Sequence, residues 1–271
     1  MSASIATTRL QEPLPVVRFL NTIRTASPFW WRAALAGAAI CGMFFTAGFI
    51  DERTIYGVNV WDKPFKFMLS FTVHVLTFGW AFALMSEAER GSRINRVMSY
   101  AFVIFFALEV AYMAWRASRG EASHFNVSTQ FAAVAYNFMG LLAVGLTAIT
   151  AWFGWRLLRT ETGVHARAAG VGLMLGAVLG TIAGAYLDSQ TSHWVGGAAT
   201  DANGLSFFHW STTGGYLRVA HFTGLHAMQF VPLAAWLRPR ASTIWLSTLA
   251  ITLVTAAIFI QAIMGVPLFA V

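Results

Sequence analysis

Three ionisable side chains, His74, Glu109 and His226, lie within apolar stretches of the chain that carry almost no other charge. Counting about 1.5 Å of rise per helical residue places His74 about 15 Å from one membrane surface and the other two about 12 Å from it. An ionisable group in a hydrocarbon layer costs several kcal/mol unless it is paired or ligated. We therefore predict that the three side chains converge on one site, with Glu109 as its reactive group.

Histidine at this depth indicates a bound metal or a haem. Neutral imidazole is the commonest metal ligand, and two histidines on facing helices can bind b-type haem from both sides. His74 and His226 are the predicted axial pair. With Glu109 they also have the composition of a transition-metal site, to which His221 and His124 could add ligands. Three arginines at the ends of the same stretches could hold haem propionates: Arg116, Arg119 and Arg218.

The spacing of the last two histidines limits how they can act together. His221 and His226 are five positions apart, about 140° around a helix, so they are not expected to bind one metal without distortion. Gln229 lies one turn from His226 and could orient it. Hydrogen bonding inside the bundle is the alternative role for these histidines. His193 falls in a long loop and is expected to face solvent or to form part of a lid.

The composition identifies the class of protein. Of the 271 residues, 57% are hydrophobic and 11% are charged, and the mean hydropathy is +0.62. A soluble domain of this length could not bury so much apolar surface, and the excess occurs in stretches of transmembrane length. We predict an all-α bundle of seven membrane-spanning helices, at Phe29–Ile50, Pro64–Met85, Val97–Arg116, Phe131–Leu157, Ala168–Leu187, Arg218–Leu237 and Thr243–Gly265.

The basic residues predict the orientation of this bundle. Alternate connecting segments place twelve of the 18 Lys and Arg residues on one side of the membrane and six on the other. The side richer in basic residues is normally cytoplasmic. The N-terminus is therefore predicted to be cytoplasmic and the C-terminus to lie outside. The net charge of +7 then reflects orientation rather than nucleic-acid binding.

The chain divides into a short N-terminal segment and one transmembrane domain. In residues 1–28 the spacing of Val16, Leu20 and Ile23 favours a helix on the cytoplasmic surface, with a disordered tail as the alternative. Residues 29–271 form the predicted seven-helix domain. Its longest loop, 188–217, exceeds what is needed to join two helices, and we expect it to lie outside as a cap over the bundle.

Three motifs carry a resemblance to known proteins: GVNVWDKPFKF at 57–67, RGEASHFN at 119–126 and HFTGLHAMQ at 221–229. Together they resemble an uncharacterised bacterial family of polytopic integral membrane proteins, which implies the bacterial inner membrane and no particular activity. Ser70 and His74, with the two histidines of the third motif, also resemble seven-helix zinc hydrolases related to alkaline ceramidase and adiponectin receptors. Those proteins use H-x-x-x-H, whereas the spacing here is one residue longer.

These observations favour a membrane redox protein, an oxidoreductase in the enzymatic case, that binds haem b or a transition metal and exchanges electrons with quinone. A proton-coupled transporter that uses a buried Glu/His pair is the first alternative. A membrane-embedded, metal-dependent hydrolase acting on a lipophilic substrate is the second. The expected partners are the lipid bilayer and quinone or another lipophilic substrate, without nucleic acid, and the sequence leaves assembly into a homo-oligomer open.

Overall fold

The structure is a computed structural model that describes residues 15–270. Within that range the chain is almost entirely helical, and ten helices are separated by short loops. They are α1 Pro15–Ala26, α2 Pro28–Ile50, α3 Asp62–Ala83, α4 Glu87–Gly91, α5 Arg93–Ser118, α6 Gln130–Thr160, α7 Val164–Asp188, α8 Leu217–Leu225, α9 Ala227–Leu237 and α10 Ala241–Ile263. The first half of the predicted N-terminal segment lies outside the described residues, and α1 occupies the rest of it.

Six of the helices, α2, α3, α5, α6, α7 and α10, are long and apolar enough to cross a membrane. The chain is therefore a multi-pass, all-helical membrane protein. The corresponding predicted spans agree with these helices to within about four residues at each end, which is the usual uncertainty of sequence-based boundaries. The predicted span Arg218–Leu237 differs, because the structure divides it into α8 and α9 at His226.

The division at His226 is a local irregularity. Its backbone angles, φ −73° and ψ −1°, lie at the edge of the helical region and interrupt the regular pattern for one residue. Hydrogen bonds from the amides of Gln229 and Phe230 to the His226 carbonyl, at 2.9 and 3.1 Å, continue the chain into α9. Pro232 lies inside α9 and removes one further helical amide donor. The two short helices thus follow one another directly, and the helical hydrogen bonding is interrupted at His226 between them.

Side-chain caps and proline fix where several helices begin. Pro28 occupies the first turn of α2, where its missing amide hydrogen costs nothing. Ser92 and Thr129 cap α5 and α6 by accepting from the amides of Asn95 and Ala132, at 3.3 and 3.1 Å. Asp62 lies in the first turn of α3, where a negative charge is favourable.

Two pairs of two-residue strands lie at one end of the bundle, here called the strand end. β1 Thr54–Ile55 pairs with β2 Val58–Asn59, and β3 Trp194–Val195 pairs with β4 Gly215–Tyr216, both antiparallel. The loop between β3 and β4 packs on the turn between β1 and β2. Its Asp201 amide and Thr200 hydroxyl both donate to the Tyr56 carbonyl, each at 2.9 Å. The long loop therefore forms an ordered surface over this end of the helices.

A cluster of aromatic side chains forms the core between α2, α3, α5 and α6. Trp30 is 1% exposed and makes edge contacts with the rings of Phe78, Phe82, Phe102 and Phe153, at 5.1 to 6.1 Å. Such edge-to-face pairs contribute about 0.5–1.5 kcal/mol each beyond burial. They hold together the helices that carry His74 and Glu109.

Helix α7 brings α8 and α9 close through a row of glycines. A Cβ atom at Gly176 would lie 2.7 Å from the Leu225 carbonyl oxygen, and one at Gly184 would lie 2.8 Å from the His221 ring. A Cβ at Gly172 would lie 2.9 Å from the Pro232 ring. Small residues let helix backbones approach in a membrane, where packing drives association. This close approach fixes the position of His221.

Candidate functional site

Eight polar side chains gather between the strand end and the middle of the bundle. We refer to them as the polar cluster, which consists of Lys63, Glu109, His124, His193, Asp201, Tyr216, Arg218 and His221. Its members come from α3, α5, α8, β4 and the loops that follow α5 and α7. Four of them each lie close enough to His124 for their charge to affect it: Lys63, Arg218, His193 and His221.

Glu109 is the most deeply placed acid of the cluster. Its side chain is on α5, the residue is 3% exposed, and its Oε1 atom is fully buried with no hydrogen-bond partner among the described residues. Among residues 15–270, Lys63 is the charged residue whose charge acts on it. A buried carboxyl oxygen without a partner is costly, and such an atom in a native structure calls for a functional explanation.

Lys63 lies opposite Glu109 on the facing helix. One turn deeper, the rings of Phe67 on α3 and Phe106 on α5 stack at 5.6 Å. Lys63 and Glu109 are each one turn from these rings toward the strand end, because residues three or four apart share a helix face. No ion pair within 4.0 Å joins the two charged groups. Within the described residues the Lys63 ammonium has no hydrogen bond at all, so both groups lack a direct partner.

Asp201 is the centre of the hydrogen bonds nearer the strand end. Its Oδ1 accepts from Trp194 Nε1 and from the Tyr216 hydroxyl, both at 3.0 Å, and from His193 Nε2 at 3.4 Å. Arg218 donates to the same hydroxyl at 2.9 Å and lies 3.5 Å from Asp201 Oδ2. This one carboxylate thereby fixes the long loop to the start of α8.

The burial of this network changes the acidity of its loop residues. Burial, and then the positive charge of Arg218, lower the pKa of His193 to about 4, although the hydrogen bond to Asp201 opposes the shift. Burial and the charges of Lys63 and Arg218 hold the pKa of His124 well below its ordinary value. Although burial favours its neutral form, the hydrogen bond from His193 keeps the pKa of Asp201 below the ordinary range.

His193 corrects a sequence-based expectation. It was expected to face solvent or to form part of a lid; the first alternative is wrong, because it is 1% exposed and its ring lies against that of Trp194 with centroids 3.7 Å apart. Because Asp201 accepts from Nε2, the neutral ring leaves Nδ1 as a bare acceptor, and this atom is buried without a partner. The sequence indicated only a long loop, which gives no information about which of its residues turn inward.

A chain of hydrogen bonds fixes the protonation of His226. The Thr77 hydroxyl donates to the Val73 carbonyl at 2.8 Å, so its oxygen must accept from Gln229 Nε2 at 2.9 Å. The amide oxygen of Gln229 then faces His226 Nδ1 at 3.1 Å, and this nitrogen must carry the proton. The Nε2 atom of His226 is left as an acceptor. The expectation that Gln229 orients His226 is confirmed.

His221 has the same arrangement. Its Nδ1 lies 2.9 Å from the Gly180 carbonyl, which can only accept, so the proton is on Nδ1 and Nε2 is an acceptor. His221 and His74 are both close enough to His226 for their charges to interact. His74 contacts the rings of Phe78 and Phe102, with centroids 5.4 and 5.9 Å away. The structure thus brings the three histidines into one neighbourhood.

Glu109 is not bonded to these histidines. Within residues 15–270 no hydrogen bond joins it to His74 or His226, and its charged neighbour is Lys63. Arg116 is buried and pairs with Glu121 at 2.6 Å, and the exposed Arg119 pairs with the same carboxylate at 3.2 Å. These two arginines are therefore engaged by the chain itself.

The histidines of the site offer suitable donor atoms for a transition metal but fit a haem less well. The free Nε2 atoms of His221 and His226 are suitable donors for a transition metal, since a ligating histidine usually has its other nitrogen held by a hydrogen bond. No group of three or more His, Cys, Asp or Glu residues within 15–270 is arranged to hold a metal ion. A haem fits less well: the His226 ring lies 4.2 Å from the Phe222 ring, and the predicted propionate partners Arg116 and Arg119 are paired.

Two cavities are found among the described residues, and neither is lined by His74, His221 or His226. One, of about 260 Å³, is lined by residues 158–163 and Arg167 at the end opposite the strands. The other, of about 10 Å³, lies between Ser211, Tyr216 and the end of α10. Pockets for small ligands usually measure about 300–1,000 Å³. Both of these cavities are smaller than this range.

Four residues of the cluster were not predicted as site residues: Lys63, His193, Asp201 and Tyr216. Lysine at the start of a span usually reaches to the membrane surface, so its position gives no indication that Lys63 belongs to an interior cluster. Asp201 lies in a loop whose path the sequence does not specify. The pattern W-D-K-P at 61–64 could have drawn attention to Lys63, because it places a cation one turn from Phe67 on the buried face.

Comparisons with known proteins complete the description of the site. No match to the chain was found among protein-family models, curated proteins or solved structures. The functional argument therefore rests on the geometry of the chain itself.

Proposed function

We propose that this protein is a proton-coupled membrane carrier in which Glu109 takes up and releases the coupled proton. The observation that carries the proposal is the buried Glu109 carboxyl, whose Oε1 has no partner and whose charged neighbour is Lys63. An ionisable residue inside a membrane span marks an ion or proton pathway by default. Glu109 is the acid that meets this description on α5.

Two opposing effects make proton exchange at Glu109 feasible. Removal from water favours the neutral acid, whereas the positive charge of Lys63 favours the carboxylate. Because the ammonium is not in direct contact, neither state is locked by a tight ion pair. A change of a few ångströms between α3 and α5 would shift the balance, which is what coupling to a conformational cycle requires.

The polar cluster supplies a route between Glu109 and the strand end. His193, Asp201, Tyr216 and Arg218 are joined by hydrogen bonds, and His124 is close enough to Lys63, Arg218 and His193 for their charges to affect it. On the other side, His221 of α8 extends the polar groups toward His226. The joint at His226 gives α8 and α9 a place to bend, and broken helices are typical of carriers at their substrate sites.

The proposal includes an orientation and a location. α8 and α9 together cross as a seventh span, so that α10 runs back to the strand end. The N-terminus is then cytoplasmic and the strand end faces outside, as the twelve-to-six division of basic residues indicates. The resemblance of the three sequence motifs supports the bacterial inner membrane.

The proposal can be tested in liposomes that contain the purified protein and a trapped pH-sensitive dye. We expect at least one lipophilic solute, with quinones and small acids as the first candidates, to drive proton movement across the membrane. Glu109→Gln should abolish that movement because the amide cannot be protonated. Glu52→Gln is the matched control, since Glu52 is an exposed acid in the loop before β1.

Proton movement that is the same in the wild type and in Glu109→Gln would contradict the carrier proposal. Full activity in Glu52→Gln together with loss in Glu109→Gln would support it. Both variants should first elute as folded protein from size-exclusion chromatography. A loss shared by both variants would also contradict a specific role for Glu109.

A histidine-ligated redox protein is the second candidate. The observation that favours it is the fixed Nδ1–H form of His221 and His226, each with a free Nε2 donor. A preparation that binds haem should be coloured, and His226→Ala should bleach it; elemental analysis would detect a transition metal and would also cover the hydrolase alternative. A colourless, metal-free, folded preparation would remove both metal-dependent functions.

A further inference from the structure

We propose that the coupled solute is a small monocarboxylate with an apolar body, bound between Lys63 and Glu109. The inference rests on the proposed function and adds the class of substrate. Its basis is that Glu109 has a buried carboxyl oxygen without a partner among the described residues, and that Lys63 is close enough to affect its charge without forming an ion pair with it. Each lacks the partner that a carboxylate between them would supply.

The chemistry of the two groups defines this ligand. Lys63 provides a positive charge and up to three N–H donors, and a protonated Glu109 provides one O–H donor. A single carboxylate can accept from both groups at once, with one oxygen toward each. Hydrogen bonds of this charge-assisted kind are about twice as strong as neutral ones. A neutral amide would leave the Lys63 charge without compensation.

The charges around the site indicate a monoanion. The charged and titratable groups that reach Lys63 are Arg218 and Asp201, which lie 3.5 Å apart, together with Glu109, His124 and His193. Arg218 and Asp201 offset one another. When Glu109 is protonated, Lys63 is left as one uncompensated positive charge, which one negative charge balances. A dianion would bring an excess charge into a buried region, at a high cost.

The apolar part of the ligand has a surface to rest on. The stacked rings of Phe67 and Phe106 lie one turn below Lys63 and Glu109, and Phe106 stacks in turn on Phe71 at 3.6 Å. Toward the strand end the cluster is polar, so the carboxylate would point outward and the apolar body inward.

This arrangement couples the anion to the proton. With Glu109 ionised, its charge offsets that of Lys63 and the site repels a second anion. Protonation of Glu109 removes the repulsion and supplies a donor, so anion binding and proton binding each strengthen the other by the same factor. One proton from water is taken up with each anion, and the loaded site carries no net charge from this pair.

Isothermal titration calorimetry of benzoate with the full chain in lipid nanodiscs tests the inference, with benzamide as the neutral probe. We expect benzoate to bind and benzamide not to bind. Titrations in buffers of different ionisation enthalpy should show uptake of about one proton per benzoate, and the affinity should fall by up to about tenfold per pH unit as pH rises. Lys63→Gln should weaken benzoate binding at least about tenfold.

Two variants separate the charge of Lys63 from its structural role. Lys66→Gln is the matched control, because Lys66 lies on the same turn of α3 but already pairs with Asp62 at 2.6 Å. It should bind benzoate as the wild type does. Lys63→Arg keeps the charge and should retain binding if Lys63→Gln loses it. Glu109→Gln should still bind benzoate, with no proton uptake and no dependence on pH.

Binding of benzamide as tight as that of benzoate, binding without proton uptake, or unchanged binding in Lys63→Gln would each overturn the inference. Failure of benzoate to bind at any pH would do so as well. These results are distinct from failure of the carrier proposal, which is tested by Glu109-dependent proton movement with any solute. Proton movement driven by quinone alone would therefore retain the carrier and exclude the carboxylate.

Discussion

Single atoms without partners are the most informative features of this protein at the residue scale. Glu109 Oε1 and His193 Nδ1 are both buried and both lack a hydrogen bond within the described chain. By contrast, His221 and His226 are each held by one hydrogen bond that fixes the position of the proton. The chain thus presents several bare acceptors inside a polar cluster, and this is the basis for assigning a proton-handling role to it.

The low pKa of His193 leads to a prediction about stability. Its pKa is about 4 in the folded protein and about 6.5 when unfolded, so the unfolded chain binds more protons between these values. Stability is therefore complete above about pH 6.5 and falls as the pH drops toward about 4, by about 2 kcal/mol between about pH 7 and about pH 5. Thermal unfolding followed by tryptophan fluorescence should show this loss.

Substitution of His193 should reduce this pH dependence. His193→Gln keeps a donor for Asp201 but cannot be protonated in this range, so its unfolding midpoint should change less between the two pH values. His165→Gln, in the first turn of α7 at the opposite end, is the control and should behave as the wild type. Equal pH dependence in His193→Gln and the wild type would show that His193 does not act as described.

At the scale of the elements, α7 determines where His221 of α8 lies. Its glycines let the backbone of α8 and α9 approach so closely that the Gly180 carbonyl reaches His221. The sequence predicted the α7 span and the abundance of glycine, but not which helix would pack against it. Likewise, apolar composition predicted one continuous span at 218–237, whereas the break at His226 depends on local hydrogen bonds with Gln229 that periodicity does not show.

Gly176→Leu should destabilise the protein at this contact. A Cβ there would lie 2.7 Å from the Leu225 carbonyl oxygen, and a backbone atom cannot turn away as a side chain can. Overpacking of this kind costs about 1–3 kcal/mol. Gly42→Leu is the matched control, because a Cβ at Gly42 would have no neighbour within 4 Å. A similar unfolding temperature for both variants in detergent would refute the packing role of Gly176.

At the scale of the whole molecule, the class of protein and six of its membrane-spanning helices could be predicted from the sequence. The reason is that the membrane itself sets the hydropathy and the length of a span. The sequence was also sufficient to select Glu109 and the histidines, since ionisable groups in apolar spans are rare. It did not reveal Lys63 or Asp201 as members of the cluster. Their roles follow from contacts between distant segments, such as the stacking of Phe67 on Phe106.

The proposed orientation predicts where the two ends of the bundle lie. A reporter that is active only outside the cytoplasm should be active when it is fused to the C-terminus. A reporter that is active only in the cytoplasm should be active when it is inserted after Gly91, the last residue of α4. Seven crossings require these opposite results. A cytoplasmic signal from the C-terminal fusion would contradict the seventh crossing by α8 and α9.

Infrared spectroscopy of the folded protein during a pH titration tests the central claim most directly, because it needs no knowledge of the solute. A protonated carboxyl group has a distinct C=O stretching band. We predict such a band that disappears reversibly as the pH is raised, is absent at every pH in Glu109→Gln, and is unchanged in Glu52→Gln. The account would be contradicted if the Glu109→Gln spectrum had every carboxyl band of the wild type. A band that is lost in Glu109→Gln but does not respond to pH in the wild type would contradict it as well.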